Sequence, residues 1–431
     1  MPDNAEPPDV LFTPLAINAV TIANRIVMAP MAALSPRPDG RPSEQTIAFL
    51  CARAKGGVGL IILGGTTATR RAYEEAPVKG TLRFDDDRYV PDLKRMTDAV
   101  HAHGTPIFAE LSASFGTMAK PSDWPCIAAS PKNLVIKPDT LPQGILAPFD
   151  VATAMPREAT VDEISQITRE TVMAAVRAQR AGFDGVEVAA MMSYFLASFL
   201  SPRSNWRTDE YGGSVENRAR ILVDIVRLIR ERVGASFPIG LRISANEHVD
   251  GGQGPEGFAA IAQHVERAGL DYVALTDGNY ETMDASISAT DAPTVAHGEA
   301  KIFREALSCT LLIGGVHGHA GAEQIISAGH GDAVMLARPL LADPEYANKI
   351  RDGRAREVVP CDRHNQCVRR MVLGMPIRCT VNPQMGRESR QPGALPPVDR
   401  LIKAPVERAV LAASGSPRLM NLVKKLPRKG S

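Results

Sequence analysis

The chain has 431 residues, of which 44% are hydrophobic and 23% are charged, a composition typical of a globular protein with a sizeable apolar core. Its 49 basic and 48 acidic residues give a formal net charge of +1, which excludes the strong positive field of a nucleic-acid-binding or membrane-surface protein. The sequence shows neither a signal-peptide pattern nor a run of about eighteen apolar residues, so we expect a cytoplasmic protein without a membrane span.

Eight short apolar segments, rich in β-branched residues, predict buried strands. In chain order they are NRIVMAP near residue 24, VGLIILGG near 58, TPIFAEL near 105, FDGVEVA near 183, FPIGLRIS near 237, LDYVALTDG near 270, CTLLIGGV near 309 and GDAVMLAR near 331. Most are separated by segments with apolar residues at helical spacing, such as VDEISQITRETVMAAVRAQRAGF. This alternation predicts an α/β fold, a (β/α)8 TIM barrel.

The strand and helix pattern divides the chain into three regions. Residues 8–353 are predicted to form the barrel, with a Pro-rich lid or hairpin excursion at 122–158 between the third and fourth strands. Residues 354–385 form a Cys-rich C-terminal extension. Residues 386–431 are rich in Pro and Arg and show one possible short helix, so we expect an extended, poorly ordered tail.

The last two predicted strands end in residues suited to anion binding. Gly314 and Gly315 close the seventh strand, and Arg338 follows the eighth. Backbone N–H groups and an arginine at these barrel positions are typical of a phosphate site, although tight turns after strands also need glycine. No GxGxxG pattern follows the first strand, which disfavours a Rossmann-type dinucleotide site.

Several longer motifs resemble the Old Yellow Enzyme family of FMN oxidoreductases. They are NRIVMAPM at the start, YFLASFLSPRSNWRTDEYGGSVENRARIL in the middle, and IGGV with DAVMLARPLLADP near the end. The resemblance covers about residues 10–350 and implies a barrel that binds FMN and can take hydride from NAD(P)H. The Cys-rich segment is similar to the branch that contains 2,4-dienoyl-CoA reductase and trimethylamine dehydrogenase.

The resemblance implies FMN-binding residues position by position. Arg242 matches an arginine beside flavin N1 and O2, where a cation stabilises the negative charge of reduced flavin. Glu110 stands where the family usually has glutamine, and Ala32 where it has threonine or cysteine, so we expect an altered flavin potential. The other predicted contacts are Pro30, Met31, Gly65, Gly314, Gly315, Ala337 and Arg338.

The resemblance also implies a catalytic residue and a substrate pocket. Tyr194 matches the position of the proton donor. Ala189 and Met192 replace the pair, His with His or Asn, that holds the substrate carbonyl in ene reductases. Since these residues follow the fourth strand, we expect them to form an apolar pocket wall; the alternative is that the methionines only fill core space.

Three of the six cysteines, Cys361, Cys367 and Cys379, fall close together in the C-terminal extension, and His364 lies between the first two. Relatives in the branch named above hold a 4Fe-4S cluster with four cysteines, so the resemblance implies a cluster ligated by these three thiolates and His364. Two alternatives remain open. The cysteines are small buried residues left after loss of a cluster, or the four residues form a Cys3His zinc site.

Three functions are consistent with these features. The first is FMN-dependent, NAD(P)H-linked reduction of a hydrophobic α,β-unsaturated carbonyl or acyl-thioester. The second is an amine (N-methyl) dehydrogenase that passes electrons through the cluster to a separate redox partner protein. The third is a flavin electron-transfer subunit without its own substrate. We expect a small-molecule substrate, no nucleic-acid or membrane partner, and a homo-oligomer.

Overall fold

Eight parallel strands form a closed barrel in this computed structural model, which describes residues 9–33, 35–78, 80–390 and 398–419, with only the backbone described at 398–404. Each strand pairs with the next along the chain, and the last pairs with the first. The predicted (β/α)8 barrel is confirmed. The strands are β1 (Ile26–Met28), β2 (Leu60–Leu63), β3 (Ile107–Leu111), β4 (Gly185–Ala190), β5 (Ile239–Ser244), β6 (Tyr272–Thr276), β7 (Thr310–Val316) and β8 (Ala333–Leu336).

Helices surround this barrel and follow most of its strands. Within the described residues they are α1 (Glu44–Lys55), α2 (Arg70–Glu75), α3 (Val90–His101), α4 (Val161–Arg180), α5 (Phe195–Leu200), α6 (Val215–Val233), α7 (Pro255–Arg267), α8 (Met283–Ser286), α9 (Pro293–Ala296), α10 (Glu299–Ala306), α11 (His319–Ser327), α12 (Arg338–Ala342), α13 (Tyr346–Arg351), α14 (Gln366–Val372) and α15 (Val398–Ser414). Within the described ranges, every helix falls short of the length and apolar character that a bilayer crossing demands.

Helix α4 shows why these segments become helical. The Thr160 side chain accepts from the Glu163 backbone N–H, and the Glu163 side chain accepts from the Thr160 backbone N–H, which forms a capping box. Beyond this cap, apolar residues at helical spacing, Ile164, Ile167 and Ala175 among them, are buried against the barrel. Burial of a large apolar side chain contributes about 1.5 to 3 kcal/mol, so the packed face stabilises the helix more than the cap does.

The barrel interior is a second apolar cluster, separate from the layer between strands and helices. It contains Phe108 and Tyr272, whose ring centroids lie 5.8 Å apart. Gly240 makes room for the Tyr272 ring, because a Cβ at that position would lie 2.0 Å from a ring carbon. A hairpin of Leu15–Ile17 and Val20–Ile22 adds buried isoleucines to this cluster.

The Pro-rich segment between β3 and β4 leaves the barrel as the sequence predicts. Within it, Val135–Ile136 pairs antiparallel with Val151–Ala152, and Ile127–Ala128 pairs with Arg157–Glu158. The excursion touches the Cys-rich extension, because Asn365 Nδ2 donates to the Gln143 carbonyl at 2.9 Å. We refer to residues 122–158 as the excursion below.

The predicted extended tail, 386–431, is helical in part. Its residues 391–397 and 420–431 lie outside the described residues. Helix α15 is longer than the short helix expected; alanine, the residue with the highest helix propensity, is the commonest residue in it, and it also contains Pro405. It contacts the extension through Arg370 Nη2 and Glu407 Oε2 at 2.6 Å, and Leu411 is buried. The boundaries of the three regions stay a prediction.

Candidate active site

A cavity of about 290 Å³ lies at the C-terminal ends of the barrel strands. The predicted FMN contacts line it together: Pro30, Met31, Ala32, Gly65, Glu110, Arg242, Gly314, Gly315, Ala337 and Arg338. Tyr194 and Met192 also line it, whereas Ala189 lies in register with Arg242 inside the barrel and is not part of the wall. The structure therefore gathers residues from distant parts of the sequence into one site, as expected for a barrel.

Arg242 on β5 forms an ion pair with Glu110 on β3. Arg242 Nη1 donates to Glu110 Oε2 at 2.9 Å, and the Glu110 side chain is almost fully buried. The Arg242 Nε–H is also buried and has no hydrogen-bond partner. Glu110 thus partly neutralises the cation predicted to face the flavin, and one arginine donor remains available for a ligand.

A second carboxyl group, Glu187 on β4, lies beside this pair. Glu187 is in register with Glu110 and is completely buried, and neither of its oxygens makes a hydrogen bond of ordinary geometry. Burial, reinforced by the charge of Glu110, raises the pKa of Glu187 to about 8. Sequence reasoning missed this residue, although an acidic residue inside the apolar run FDGVEVA was a usable signal.

The donor groups of the cavity fit the FMN predicted from the sequence. The buried Nε–H of Arg242 requires an acceptor, and a flavin pyrimidine edge offers carbonyl and ring-nitrogen acceptors. At the end of β7, a Cβ on Gly314 would lie 2.6 Å from the Leu275 carbonyl oxygen, and Gly315 has φ of +77°. Only glycine suits both positions, which keeps side chains away from the backbone N–H groups there.

Arg338, the first residue of α12, ties the predicted phosphate region to the Cys-rich extension. Its Nη1 donates to Asn365 Oδ1 at 2.6 Å, and its Nη2 donates to the Ser288 carbonyl at 3.1 Å. Burial lowers the pKa of Arg338, and nearby Cys361 and Cys367 act in the opposite direction. The guanidinium is thus held by neutral partners and keeps its charge for an anion.

Tyr194 projects into the cavity from a strained turn. Met192 and Ser193, which precede it, both have positive φ, 57° and 56°, a conformation that residues with a Cβ rarely adopt. The Tyr194 hydroxyl lies 3.0 Å from the hydroxyl of Tyr280, and its ring packs edge-on against Phe115 at 4.9 Å. Burial raises the pKa of Tyr194 well above its ordinary value, so the phenol holds its proton.

Tyr280 was missed in the sequence, where the only signal was its place in the loop after β6. Apolar side chains dominate the wall on this side: Phe115, Met191, Met192, Leu275 and Ile287. Met192 lies near the loop that carries Tyr280, since Ser286 Oγ is 3.0 Å from its sulfur. No imidazole or amide occupies positions 189 and 192. The hydroxyl groups that line this cavity include those of Tyr194, Tyr280 and Ser286.

The three cysteines of the extension are free thiols, and Cys367 lines this cavity. Burial raises the pKa of Cys361, and it raises that of Cys367 to about 11; in both cases the neighbouring thiols add to the effect. The thiols are thus close enough to influence one another's charge, although the three sulfur atoms do not all lie within 4.8 Å of one another. Binding of a metal or cluster would release their protons.

His364 does not join the thiols in this structure. Its side chain is 70% exposed, and its Nδ1 lies 2.9 Å from Asp362 Oδ2. Among the described residues, the predicted Cys361, His364, Cys367 and Cys379 do not form a compact set of metal-ligand atoms. The four predicted ligands are not assembled here, so the cluster and its zinc alternative stay predictions.

Comparison with known proteins places this site in a family. The model of the NADH:flavin oxidoreductase / NADH oxidase family matches residues 10–357. The NADH oxidase of Thermoanaerobacter brockii is 34% identical over 425 residues, 97% of this chain and 62% of that protein.

Two solved structures share the fold. A complex of 2-naphthoyl-CoA reductase with 2-naphthoyl-CoA aligns with a TM-score of 0.79 at 27% identity, covering 90% of this chain and 59% of that chain. Histamine dehydrogenase from Rhizobium sp. 4-9 aligns with a TM-score of 0.75 at 26% identity, covering 88% and 53%. This chain spans less than two thirds of each of these relatives. On the family match and the barrel site together, the chain belongs to the NADH:flavin oxidoreductase / NADH oxidase family.

Proposed function

We propose that the protein binds FMN and uses NAD(P)H to reduce the C=C bond of a hydrophobic α,β-unsaturated carbonyl compound or acyl-thioester. The observation that carries this proposal is the protonated Tyr194 hydroxyl, which faces an apolar wall in the cavity that holds the predicted FMN contacts. FMN, when bound, supplies the hydride acceptor and donor of such a reaction.

Two groups of residues would hold the cofactor. Arg242 would bind the pyrimidine edge of the flavin through its free Nε–H, while Glu110 keeps its other side occupied. Gly314, Gly315 and Arg338 would bind the phosphate. The phosphate must then share Arg338 with Asn365, which links cofactor binding to the order of the Cys-rich extension.

Tyr194 would act as the general acid. When the substrate β-carbon accepts hydride, the α-carbon gains electron density and takes the proton from the Tyr194 hydroxyl. Tyr280, 3.0 Å away, can return a proton to Tyr194 or donate a hydrogen bond to the substrate carbonyl. The strained turn at Met192 and Ser193 fixes the phenol in place before substrate arrives.

The side chains of the cavity wall favour an apolar substrate. The side chains of Phe115, Met191 and Ile287 offer dispersion contacts and little hydrogen bonding. The similarity to a reductase that was solved with 2-naphthoyl-CoA agrees with a flat, hydrophobic acyl group.

A second candidate is an amine dehydrogenase that transfers electrons through a 4Fe-4S cluster to a separate protein. Cys367 lines the same cavity as Arg242 and Tyr194, so a cluster on the three thiols would lie beside the flavin site. The similarity to histamine dehydrogenase also favours this alternative. In this case the substrate C–H bond would reduce the flavin, and NAD(P)H would not be needed.

Anaerobic half-reactions separate the candidates. The FMN-loaded protein is mixed with NADH, NADPH or an amine, and loss of flavin absorbance is recorded; the reduced protein is then mixed with an enoyl-thioester such as a cinnamoyl-thioester. Reduction by NAD(P)H followed by reoxidation by the thioester supports the reductase. Reduction by the amine alone overturns it in favour of the dehydrogenase, and reduction by none of these overturns both in favour of an electron-transfer subunit.

A further inference from the structure

A second group of potential ligand atoms lies at the C-terminal end of the barrel, outside the flavin cavity. His248 belongs to the loop after β5, His297 directly follows α9, and Glu299 begins α10. One ligand atom from each of the three lies within 4.8 Å of the other two. The two imidazoles are exposed and the carboxylate is buried, so solvent ions can reach the group from one side.

The buried carboxylate of Glu299 lacks the partners that burial demands. Its side chain is only 5% exposed, and Oε2 has no hydrogen-bond partner. Oε1 has one weak contact, with Asn246 Nδ2 at 3.5 Å. Burial of a carboxylate without hydrogen-bond donors costs free energy. A cation held between the carboxylate and the two imidazoles would offset this cost.

Asp277 supplies the outer support that metal-binding histidines usually have. Its Oδ1 lies 2.8 Å from His248 Nε2, and its Oδ2 is buried without a partner. A proton on Nε2 that is donated to Asp277 leaves the lone pair of the neutral ring on Nδ1 for a metal. His248 also has a positive φ of 52°, a backbone conformation that costs free energy and tends to persist at functional sites.

We propose that His248, His297 and Glu299 form a binding site for a divalent transition-metal ion, with Zn²⁺ as the ion that best matches the ligands. Two imidazole nitrogens and one carboxylate oxygen suit Zn²⁺, whereas Mg²⁺ and Ca²⁺ prefer oxygen ligands alone. Three protein ligands leave a fourth tetrahedral position for water. The proposal is independent of the flavin and of the cysteines.

Such an ion would connect the two loops that flank the substrate side of the cavity. The loop after β6 contains Asp277 and Tyr280, and it already contacts the loop after β5 through a hydrogen bond from the Gly278 N–H to the Asn246 carbonyl at 2.9 Å. Metal binding would add a cross-link between His248, in the loop after β5, and His297 and Glu299, in the segment after β6. Tyr280, whose hydroxyl meets that of Tyr194, would thereby be fixed from both sides.

The test is Zn²⁺ titration of the purified 431-residue chain by isothermal calorimetry, for the wild type and for His297→Ala and Glu299→Gln. Co²⁺ is the spectroscopic probe, because thiolate ligation at the Cys-rich extension gives intense near-ultraviolet charge-transfer bands that nitrogen and oxygen ligands do not give. His103→Ala is the matched control, since His103 is exposed and distant in sequence from the site.

We expect the wild type and His103→Ala each to bind one Zn²⁺ ion at this site, and we expect His297→Ala and Glu299→Gln to lose that binding. Asp277→Asn should retain this ion with an affinity reduced about 10- to 100-fold, the range typical for loss of an outer partner. Hydrogen exchange across residues 278–296 should slow on addition of Zn²⁺ in the wild type and in His103→Ala, but not in His297→Ala or Glu299→Gln. Circular dichroism of each variant is the control for correct folding.

Two results would overturn the proposal. One is equal Zn²⁺ stoichiometry and affinity in the wild type and both ligand variants. The other is wild-type binding that shows only the thiolate spectrum with Co²⁺, which would place every bound ion at the cysteines.

Discussion

The wild-type protein should become less stable as the pH rises, and replacement of Glu187 by glutamine should abolish this dependence. Glu187 is fully buried beside Glu110, Arg242 and Tyr272, and burial is the main cause that raises its pKa from 4.5 to about 8. Glutamine has nearly the same shape and carries no charge at any pH. The variant therefore isolates the ionisation of one carboxyl group in the barrel interior.

The sign follows from proton linkage. Between pH 4.5 and about 8 the unfolded chain releases the Glu187 proton while the folded chain retains it, so the free energy of unfolding falls as pH rises. The stabilisation by this proton is complete below about pH 4.5 and is lost by about pH 8. Each pH unit in this window costs about 1.4 kcal/mol, and the whole window costs about 5 kcal/mol.

Urea unfolding of the flavin-free protein at several pH values, followed by fluorescence, measures this effect. The stability of Glu187→Gln relative to wild type should rise by about 3 kcal/mol from about pH 5.5 to about pH 7.5. Glu323→Gln, at an exposed position, is the control and should follow the wild type. Parallel pH profiles for wild type and Glu187→Gln would refute the reasoning, because Glu187 would then be ionised in the folded protein.

Replacement of Tyr194 by phenylalanine should slow reoxidation of the reduced protein by an enoyl-thioester about a hundredfold or more through loss of the general acid. Stopped-flow measurement of both half-reactions checks this, and equal slowing of both would indicate a packing role. Arg338→Ala should weaken FMN binding by about 1.5 to 3 kcal/mol, measured by flavin fluorescence titration against the exposed control Arg232→Ala; equal affinities would place the phosphate elsewhere. Anaerobically prepared protein should contain about four irons and four sulfides per chain, and Cys367→Ala should lose them. Iron-free wild-type protein would contradict the cluster.

The barrel was predictable because its strands are short, continuous apolar segments, a pattern typical of buried strands in a parallel sheet. β5 lies within FPIGLRIS, and β4 overlaps FDGVEVA and extends one residue beyond it to Ala190; in both strands burial on both faces removes the usual alternation. The predicted FMN contacts followed from resemblance at strand ends, and the structure gathers these residues in one cavity.

Residues in loops were less predictable, since their positions depend on long-range closure of the chain. Tyr280, His248 and His297 carry no periodicity and no motif, and only the barrel brings their loops together. His364 illustrates the opposite case: its sequence spacing suits a ligand, but the conformation after Arg363, which has a positive φ of 56°, leaves the ring exposed.

Asn365 has consequences for how freely parts of this protein can be exchanged with those of its relatives. Its amide contacts Arg338 on one side and the Gln143 carbonyl on the other, from a left-handed backbone that asparagine tolerates better than most residues. A chimaera that replaces only the Cys-rich extension would disturb the phosphate region and the excursion together. Segments 122–158 and 354–385 should therefore be transplanted as a pair.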